Sequence, residues 1–285
     1  MQTITTLQTR AKRLELTARK QLSPLLAGGE RASMRGQGLE FSGLRPYQPG
    51  DDPRFFDWNV TARQQTPHVR EYREERSRNL LLLVDCSPSM SRAKRELQAE
   101  TAALLTFAAI ANRDRVGLIT FSDQVRQLFP LGSGDGHARY LVNQLMTLQP
   151  SGQGTDLTLP LEAAKRSLQR PGMIIILSDF HADPPIRLLR RTASRHDLFA
   201  VVIRDMNTPP KGDGGIVALQ DAESGELHLV DLNHQSGRGW QKDWENDARQ
   251  LSLDLASCGI DSIELHGDSD PLAGLMRLFQ RRKFR

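Results

Sequence analysis

The chain has 285 residues, of which 38% are apolar and 25% charged, and its formal net charge at pH 7 is +4. This balance excludes a largely disordered chain and is typical of one large globular domain, alone or with an extension. No apolar run approaches the ~18 residues of a spanning helix, and the start lacks the apolar core of a secretory signal, so we expect a cytoplasmic protein with no transmembrane segment.

The N-terminal stretch from Thr6 to Leu26 is predicted to form a helix. Its apolar residues recur at steps of three and four and share one face: Leu7, Ala11, Leu14, Ala18, Leu22 and Leu25. We expect the helix to dock by this face and to end at Ala27-Gly28-Gly29. Residues 30–78 are rich in Arg, Gly, Pro and aromatic residues, which predicts short strands and ordered loops. We assign residues 1–78 to an N-terminal extension.

From residue 79 to 285 strands and helices alternate, which predicts an α/β sandwich. Strands are predicted near 80–85, 115–121, 124–129, 173–178, 198–203 and 261–265. Helices are predicted near 92–112, 136–147, 157–169, 184–195, 238–257 and 270–282. Only Ser122 and Asp123 separate the second and third strands, which is too short for a parallel crossover, so these strands form a hairpin and one edge strand is antiparallel.

A composition rich in Pro, Gly and Asp marks residues 205–237 as an insertion in this domain. The segments 216–219 and 226–230 bracket Glu223-Ser224-Gly225 and predict a β-hairpin. Two interpretations remain open, because a long insertion is often functional but a hairpin can also simply extend or cover an edge of the sheet.

The charge is distributed unevenly along the chain. Residues 1–80 contain 14 Lys+Arg and 9 Asp+Glu, and the tail from Arg277 to Arg285 contains five basic residues and no acidic ones. Basic ends can bind nucleic acid, but these lack interleaved aromatic residues and any nucleic-acid motif. We expect a solvated or protein-docking surface and no specific nucleic-acid binding, with nucleic-acid binding as an alternative function.

Five oxygen-bearing residues are predicted to form one divalent-metal site. They are Asp85, Ser87, Ser89, Thr155 and Asp179. Asp85, Ser87 and Ser89 follow a buried apolar strand, Thr155 lies in a Gly-Thr-Asp turn, and Asp179 follows a second apolar strand. The carboxyl ends of parallel strands meet at one edge of a sheet, where ligands bind. Two carboxylates and three hydroxyls suit a hard cation such as Mg²⁺, with Mn²⁺ as a substitute.

A metal-dependent hydrolase is the alternative reading of the same residues. Phosphatases of the aspartyl type need a second carboxylate two residues after the first, and that position is Ser87, which does not act as an acid or base near neutral pH. His181 could serve as a base, although a single His in a strand-end loop is more often a hydrogen-bonding residue. Cys86 and Cys258 have no metal-finger spacing and are interpreted as reduced packing residues.

The five residues resemble the metal-ion-dependent adhesion site of von Willebrand factor A domains, whose pattern is Asp-x-Ser-x-Ser, then Thr, then Asp. Pro88 stands where that pattern often has Gly. The resemblance implies a Rossmann-like, doubly wound sheet with one antiparallel edge strand over residues 79–285, and a metal ion that accepts an acidic residue of a partner protein.

The segment from Leu39 to Arg63 resembles the signature of bacterial proteins grouped as domain of unknown function 58. That family implies a von Willebrand factor A domain and association with MoxR-type AAA+ ATPases. Within the signature, Gly50, Asp51, Asp52 and Arg54 predict a turn held by ion pairs, and Phe55, Phe56 and Trp58 are interpreted as anchors in the core. We therefore expect a non-enzymatic, magnesium-dependent adaptor that presents client proteins to such an ATPase.

Overall fold

The computed structural model describes residues 11–27, 39–74, 77–205, 216–220, 227–231 and 235–283. By its internal contacts the chain divides into two compact units, which are Met1–Glu30 together with Arg78–Arg285, and Arg31–Ser77. The helical residues that the sequence assigns to the N-terminal extension thus belong to the larger unit. Predictions for residues 6–10, 28–38, 223–225 and 284–285 lie outside the described residues.

The first helix, α1, covers residues 11–27 and contains a π-helical segment at Ala18–Leu22. Leu14, Ala18, Leu22 and Leu26 are buried in the core of the larger unit. Among the described residues the predicted face is confirmed from Ala11 to Leu22, but Leu26 replaces Leu25 as its last fully buried member. A π-helical turn contains an extra residue, so it shifts the face that follows it by about one position.

The smaller unit is an antiparallel strand pair with a short helix between its strands. The strands are β1, Leu39–Pro46, and β2, His68–Glu74. The helix, α2, covers Trp58–Gln64 and is absent from the sequence prediction. The side chain of Asp57 caps it by accepting hydrogen bonds from two backbone N–H groups of its first turn. A capping residue can start a helix too short to show apolar periodicity, which explains the omission.

The signature turn of the smaller unit is held by ion pairs, as predicted. Both terminal nitrogens of Arg45 donate to the carboxylate of Asp51 at 2.7 Å, and Arg54 Nη2 lies 2.6 Å from Asp52 Oδ2. Gly50 has a φ of 108°, a backbone conformation that favours glycine. The pair with Arg45 holds the pKa of Asp51 well below its usual range, at about 2.

The aromatic residues of the signature stack on one another. Ring centroids lie 5.3 Å apart for Tyr47 and Phe56, and 5.1 Å apart for Phe56 and Trp58. Trp58 is 70% exposed and Phe55 is 37% exposed. The prediction that these two side chains anchor the segment in the core is therefore wrong, because only Phe56 is partly buried, and it is covered by its aromatic neighbours.

The larger unit is built on a six-stranded sheet with an additional strand pair. The sheet contains β3, Asn79–Asp85; β4, Arg115–Phe121; β5, Val125–Gly132; β6, Met173–Ser178; β7, Asp197–Arg204; and β10, Asp261–His266. The additional strands β8, Ile216–Gln220, and β9, Leu227–Asp231, pair antiparallel as predicted. The six strands lie in the order β10-β7-β6-β3-β4-β5, and only β4 and β5 pair antiparallel. The predicted mixed α/β sheet with one antiparallel edge strand is confirmed.

Helices cover both faces of this sheet. They are α3, Arg92–Ala111; α4, Asp135–Met146; α5, Thr158–Ser167; α6, Ile186–Ala193; α7, Gln235–Ser257; and α8, Pro271–Lys283. Leu80, Leu82 and Val84 of β3 join a core that includes residues of α1, α3, α4 and α8, whereas Leu81 and Leu83 join a second core with α5, α6 and α7. Burial on both faces explains why β3 is apolar without alternation.

Strand order predicts a ligand-binding position at the carboxyl end of β3. The chain passes from β3 to β4 on one side, and β6 pairs with β3 on the other side. In open α/β sheets ligands bind where strand order reverses in this way. Within the part of the chain that the structure describes, no helix combines the length and apolarity needed to cross a membrane.

Candidate metal centre

Asp85 is the last residue of β3, and its side chain is fully buried. Its Oδ1 accepts a hydrogen bond from the backbone N–H of Ser87 at 2.8 Å, and its Oδ2 accepts one from Ser178 Oγ at 2.5 Å. Each oxygen of the carboxylate is therefore held by a donor from a different strand end. The two bonds fix its orientation at the carboxyl edge of the sheet.

The two serines of the Asp-x-Ser-x-Ser pattern follow in a tight turn. Their hydroxyl oxygens lie 2.9 Å apart, and both residues are buried. The backbone N–H of Met90 donates to the carbonyl of Ser87 at 3.1 Å, and that of Ser91 donates to the carbonyl of Ser89 at 3.0 Å. The turn thus curls the two hydroxyls together before α3 begins.

Asp179 follows β6 and is 2% exposed. It lies near Asp85, because β3 and β6 pair in parallel and Ser178, the residue before Asp179, donates to Asp85 Oδ2. Burial, and then the charge of Asp179, raise the pKa of Asp85 to about 6. The structure thus brings together the two predicted carboxylates from strands separated by more than ninety residues of sequence. Two buried carboxylates repel each other, and such a pair favours a cation beside it.

Thr155 lies in a loop that is anchored at both of its ends. The backbone N–H of Ser151 donates to the carbonyl of Cys86 at 2.7 Å, and that of Asp156 donates to the carbonyl of Ser122 at 2.8 Å. Cys86 directly follows β3, and Ser122 directly follows β4. The loop therefore runs along the carboxyl edge of the sheet, and Thr155 is partly buried within it.

Lys94, in the first turn of α3, was not predicted from the sequence as part of this site. Its Nζ donates to Asp179 Oδ2 at 2.9 Å and to the carbonyl oxygen of Ser89 at 2.9 Å, and it lies 3.7 Å from Asp205 Oδ2. Its side chain is only 14% exposed. The ammonium balances one of the two buried negative charges.

The donor set fits a hard divalent cation by its chemistry. Asp85 and Asp179 offer carboxylate oxygens, and Ser87, Ser89 and Thr155 offer hydroxyl oxygens, all from loops at one edge of the sheet. Oxygen donors of this kind suit Mg²⁺ and Mn²⁺. Among the described residues there is no cluster of three or more His, Cys, Asp or Glu suited to a metal ion. The candidate site has only two carboxylates, and its other three oxygen donors are hydroxyl groups, so it is not a cluster of that kind.

His181 and Cys86 lie beside the proposed ligands in sequence but are not counted among the ligands. His181 has an exposed side chain, and its backbone N–H donates to Asp179 Oδ1 at 3.3 Å. Cys86 is 1% exposed, its Sγ donates to the carbonyl of Phe121 at 3.1 Å, and burial raises the pKa of its thiol. The interpretation of Cys86 as a packing residue agrees with this burial, and neither cysteine forms a disulfide.

Three contributors to the site were missed by the sequence reasoning: Lys94, Ser178 and Asp205. Ser178 could have been noticed, since it directly precedes Asp179 at the end of β6. The cap residue Ser91, whose Oγ accepts from the backbone N–H of Lys94 at 3.3 Å, places Lys94 in the first helical turn, but nothing in the sequence connects Lys94 with Asp179.

Comparisons with known proteins give one family match and several related chains. A family model described as "Protein of unknown function DUF58" matches residues 43–250. The uncharacterized protein Rv1480 of Mycobacterium tuberculosis is 32% identical over 280 residues, which cover 95% of this chain and 88% of that protein.

The solved structures found by comparison are more distant. The crystal structure of the conserved hypothetical protein BatB from Bacteroides thetaiotaomicron has a TM-score of 0.48 and 15% identity, and covers 73% of this chain and 100% of its own. Proximal thread matrix protein 1 from the mussel byssus, solved with a zinc-occupied MIDAS motif, has a TM-score of 0.37 and 16% identity, and covers 45% of this chain and 38% of its own.

Proposed function

We propose that the chain, which belongs to the DUF58 family, is a non-enzymatic protein-interaction module that recognises its partner through a divalent metal ion. In this proposal the larger unit is a von Willebrand factor A domain, and its metal-ion-dependent adhesion site consists of Asp85, Ser87, Ser89, Thr155 and Asp179. The partner is a MoxR-type AAA+ ATPase, to which the chain presents client proteins for maturation.

The observation that carries this proposal is the pair of buried carboxylates at the end of β3 and β6. Asp85 is 0% exposed and Asp179 is 2% exposed. Lys94 donates to the carboxylate of Asp179, and Arg204 donates to its main-chain carbonyl. The donors to the carboxylate of Asp85 are the neutral groups Ser87 N–H and Ser178 Oγ, so among the described residues no cation is hydrogen-bonded to this buried negative charge, which is costly. A divalent cation would remove that cost.

The residues around the carboxylates would prepare the site for a cation. Ser87 N–H and Ser178 Oγ hold the carboxylate of Asp85 in one orientation, and the curled turn sets the hydroxyls of Ser87 and Ser89 side by side. A bound Mg²⁺ supplies a Lewis-acidic position for an acidic residue of the partner. Because the hydroxyl donors are neutral, they leave the ion able to accept that further carboxylate.

The non-enzymatic part of the proposal is supported by the residues that acid–base chemistry would need. The position two residues after Asp85 is Ser87, whose hydroxyl is not an acid or a base near neutral pH. Generic phosphate-ester turnover that requires Mg²⁺ and is lost in a His181→Ala variant would support the hydrolase alternative instead.

Capture of the ATPase tests the proposal. The purified full chain is immobilised and incubated with the MoxR-type ATPase of the same genome, in Mg²⁺ or in chelator. We expect capture in Mg²⁺, loss of capture in chelator, and loss in an Asp179→Asn variant. Asp183→Asn is the matched control, because Asp183 lies four residues further along the same loop and is exposed. Capture of equal strength in Mg²⁺ and in chelator would contradict the proposal.

A further inference from the structure

The ammonium of Lys94 lies close to acceptor oxygens of three different residues, two carboxylates and one main-chain carbonyl. Its Nζ lies 2.9 Å from Asp179 Oδ2, 2.9 Å from the carbonyl oxygen of Ser89, and 3.7 Å from Asp205 Oδ2. The first two acceptors belong to residues of the candidate metal centre. The third lies just after β7, and its Oδ1 accepts a hydrogen bond from Ser91 Oγ at 2.7 Å.

From this arrangement we propose that Lys94 is a built-in counter-ion that competes with the divalent cation for Asp179. The inference rests on the metal site proposed above and concerns its regulation. When metal is absent, the ammonium holds the residues of the site together. It must move away from Asp179 before metal and partner bind.

The competition follows from the repulsion between two cations placed at the same carboxylate. Asp179 Oδ2 accepts a charge-assisted hydrogen bond from the ammonium, and the same oxygen is a candidate ligand of the metal. An ammonium and a divalent cation repel each other strongly when both lie within a few ångströms in a poorly hydrated place. Holding both cations at Asp179 is therefore unfavourable, so each lowers the affinity of the site for the other.

Asp205 gives the displaced ammonium a place to go. Its side chain is 31% exposed, compared with 3% for Asp179, so it faces solvent more than the metal centre does. The lysine stem is long and flexible, and a small rotation brings Nζ from Asp179 towards Asp205. Ser91 Oγ holds Asp205 through a hydrogen bond, so this second acceptor is fixed in position.

Calorimetric titration of the full chain with Mg²⁺ at constant pH tests the inference. We expect a Lys94→Met variant to bind Mg²⁺ at least tenfold more tightly than the wild type, because the competing charge is gone. The metal-free variant should also melt at a lower temperature, and Mg²⁺ should restore its melting temperature. Arg92→Met is the matched control, since Arg92 lies in the same helical turn, is 87% exposed and pairs with Glu96, and it should leave the affinity unchanged.

A second set of variants covers the case in which Lys94→Met does not fold. It distinguishes transfer of the Lys94 ammonium to Asp205 from a general effect of the Asp205 charge on Mg²⁺ affinity. In the wild-type background, Asp205→Asn removes the second acceptor and should weaken Mg²⁺ binding by several fold. In a Lys94→Gln background the same substitution should have a much smaller effect, because no ammonium remains to be displaced. Equal effects of Asp205→Asn in both backgrounds would overturn the inference.

The outcomes distinguish the inference from the proposed function. If the wild type binds Mg²⁺ and Lys94→Met binds it equally or more weakly, Lys94 is only a structural ion pair and the metal site stands. If neither protein binds Mg²⁺, both the inference and the metal site are wrong.

Discussion

Replacing Asp85 by Asn is expected to lower the affinity of the chain for Mg²⁺ by on the order of 100-fold or more, with the fold intact. Loss of an outer-shell partner typically costs about 10–100-fold in metal affinity, so loss of a charged ligand should reach or exceed the upper end of that range. The fold should survive because Asn can still accept from the N–H of Ser87 and can donate to Ser178 Oγ, the two partners of Asp85.

Asp114 supplies a matched control for this substitution. It is also a buried aspartate, its pKa is raised to about 6 chiefly by burial, and it accepts from the backbone N–H of Arg78 at 2.7 Å. Asp114 lies at the amino ends of β3 and β4, at the opposite edge of the sheet from Asp85. We therefore expect Asp114→Asn to bind Mg²⁺ like the wild type. Calorimetric titration with Mg²⁺ measures the affinity of both variants. Equal affinities would show that Asp85 is not part of the metal site.

Replacing Gly152 by Ala is expected to weaken Mg²⁺ binding by about tenfold and to lower the free energy of unfolding by roughly 1–3 kcal/mol. Gly152 has a φ of 93°, and a Cβ at this position would overlap Asp123 Oδ1 and Ser122 Oγ and lie 2.6 Å from Arg126 Nη2. These neighbours are tied together, since Arg126 Nε donates to Ser122 Oγ at 2.7 Å and Ser122 Oγ donates to Asp123 Oδ1 at 2.8 Å. Because these three side chains are bonded to one another, we expect the loop rather than this group to shift, and Thr155 to shift with the loop.

A Gly134→Ala variant is the control that distinguishes the effect of loop displacement from the effect of backbone strain. It also has a positive φ, 85°, but no atom lies within 4 Å of the Cβ position. Gly134→Ala should thus lower the free energy of unfolding by a similar backbone cost and leave Mg²⁺ affinity unchanged. Denaturant unfolding together with Mg²⁺ titration of both variants provides the comparison. Wild-type affinity in Gly152→Ala would show that the 151–156 loop does not contribute to the site.

The sheet could be predicted because its strands are marked by local features of the sequence. β3 and β6 are uninterrupted apolar runs because both of their faces are buried, and the short connection after Phe121, three residues in the structure, permits only a hairpin. These are local properties of the chain. The positions of Asp85 and Asp179 at one edge then follow from the parallel pairing of β3 with β6.

The features that the sequence did not predict depend on contacts between distant residues or on single local interactions. Lys94 forms a hydrogen bond with Asp179, which lies 85 positions away in the sequence, and no periodic pattern predicts such a pair. The helix α2 is started by one capping side chain, and the π-helical segment of α1 moves burial from Leu25 to Leu26. Trp58 was expected to anchor the signature in the core with the other aromatic residues, whereas its position in the first turn of α2 leaves it exposed.

A crystal structure of the full chain grown in Mn²⁺, with anomalous diffraction data collected near the manganese absorption edge, tests the central claim most directly. The account predicts one strong anomalous peak, roughly 2.0–2.3 Å from side-chain oxygens of Asp85, Ser87, Ser89, Thr155 and Asp179 or from waters bound to them. The peak should coincide with movement of the Lys94 ammonium away from Asp179. A map with no peak at this edge of the sheet, and with Lys94 still bound to Asp179, would contradict it.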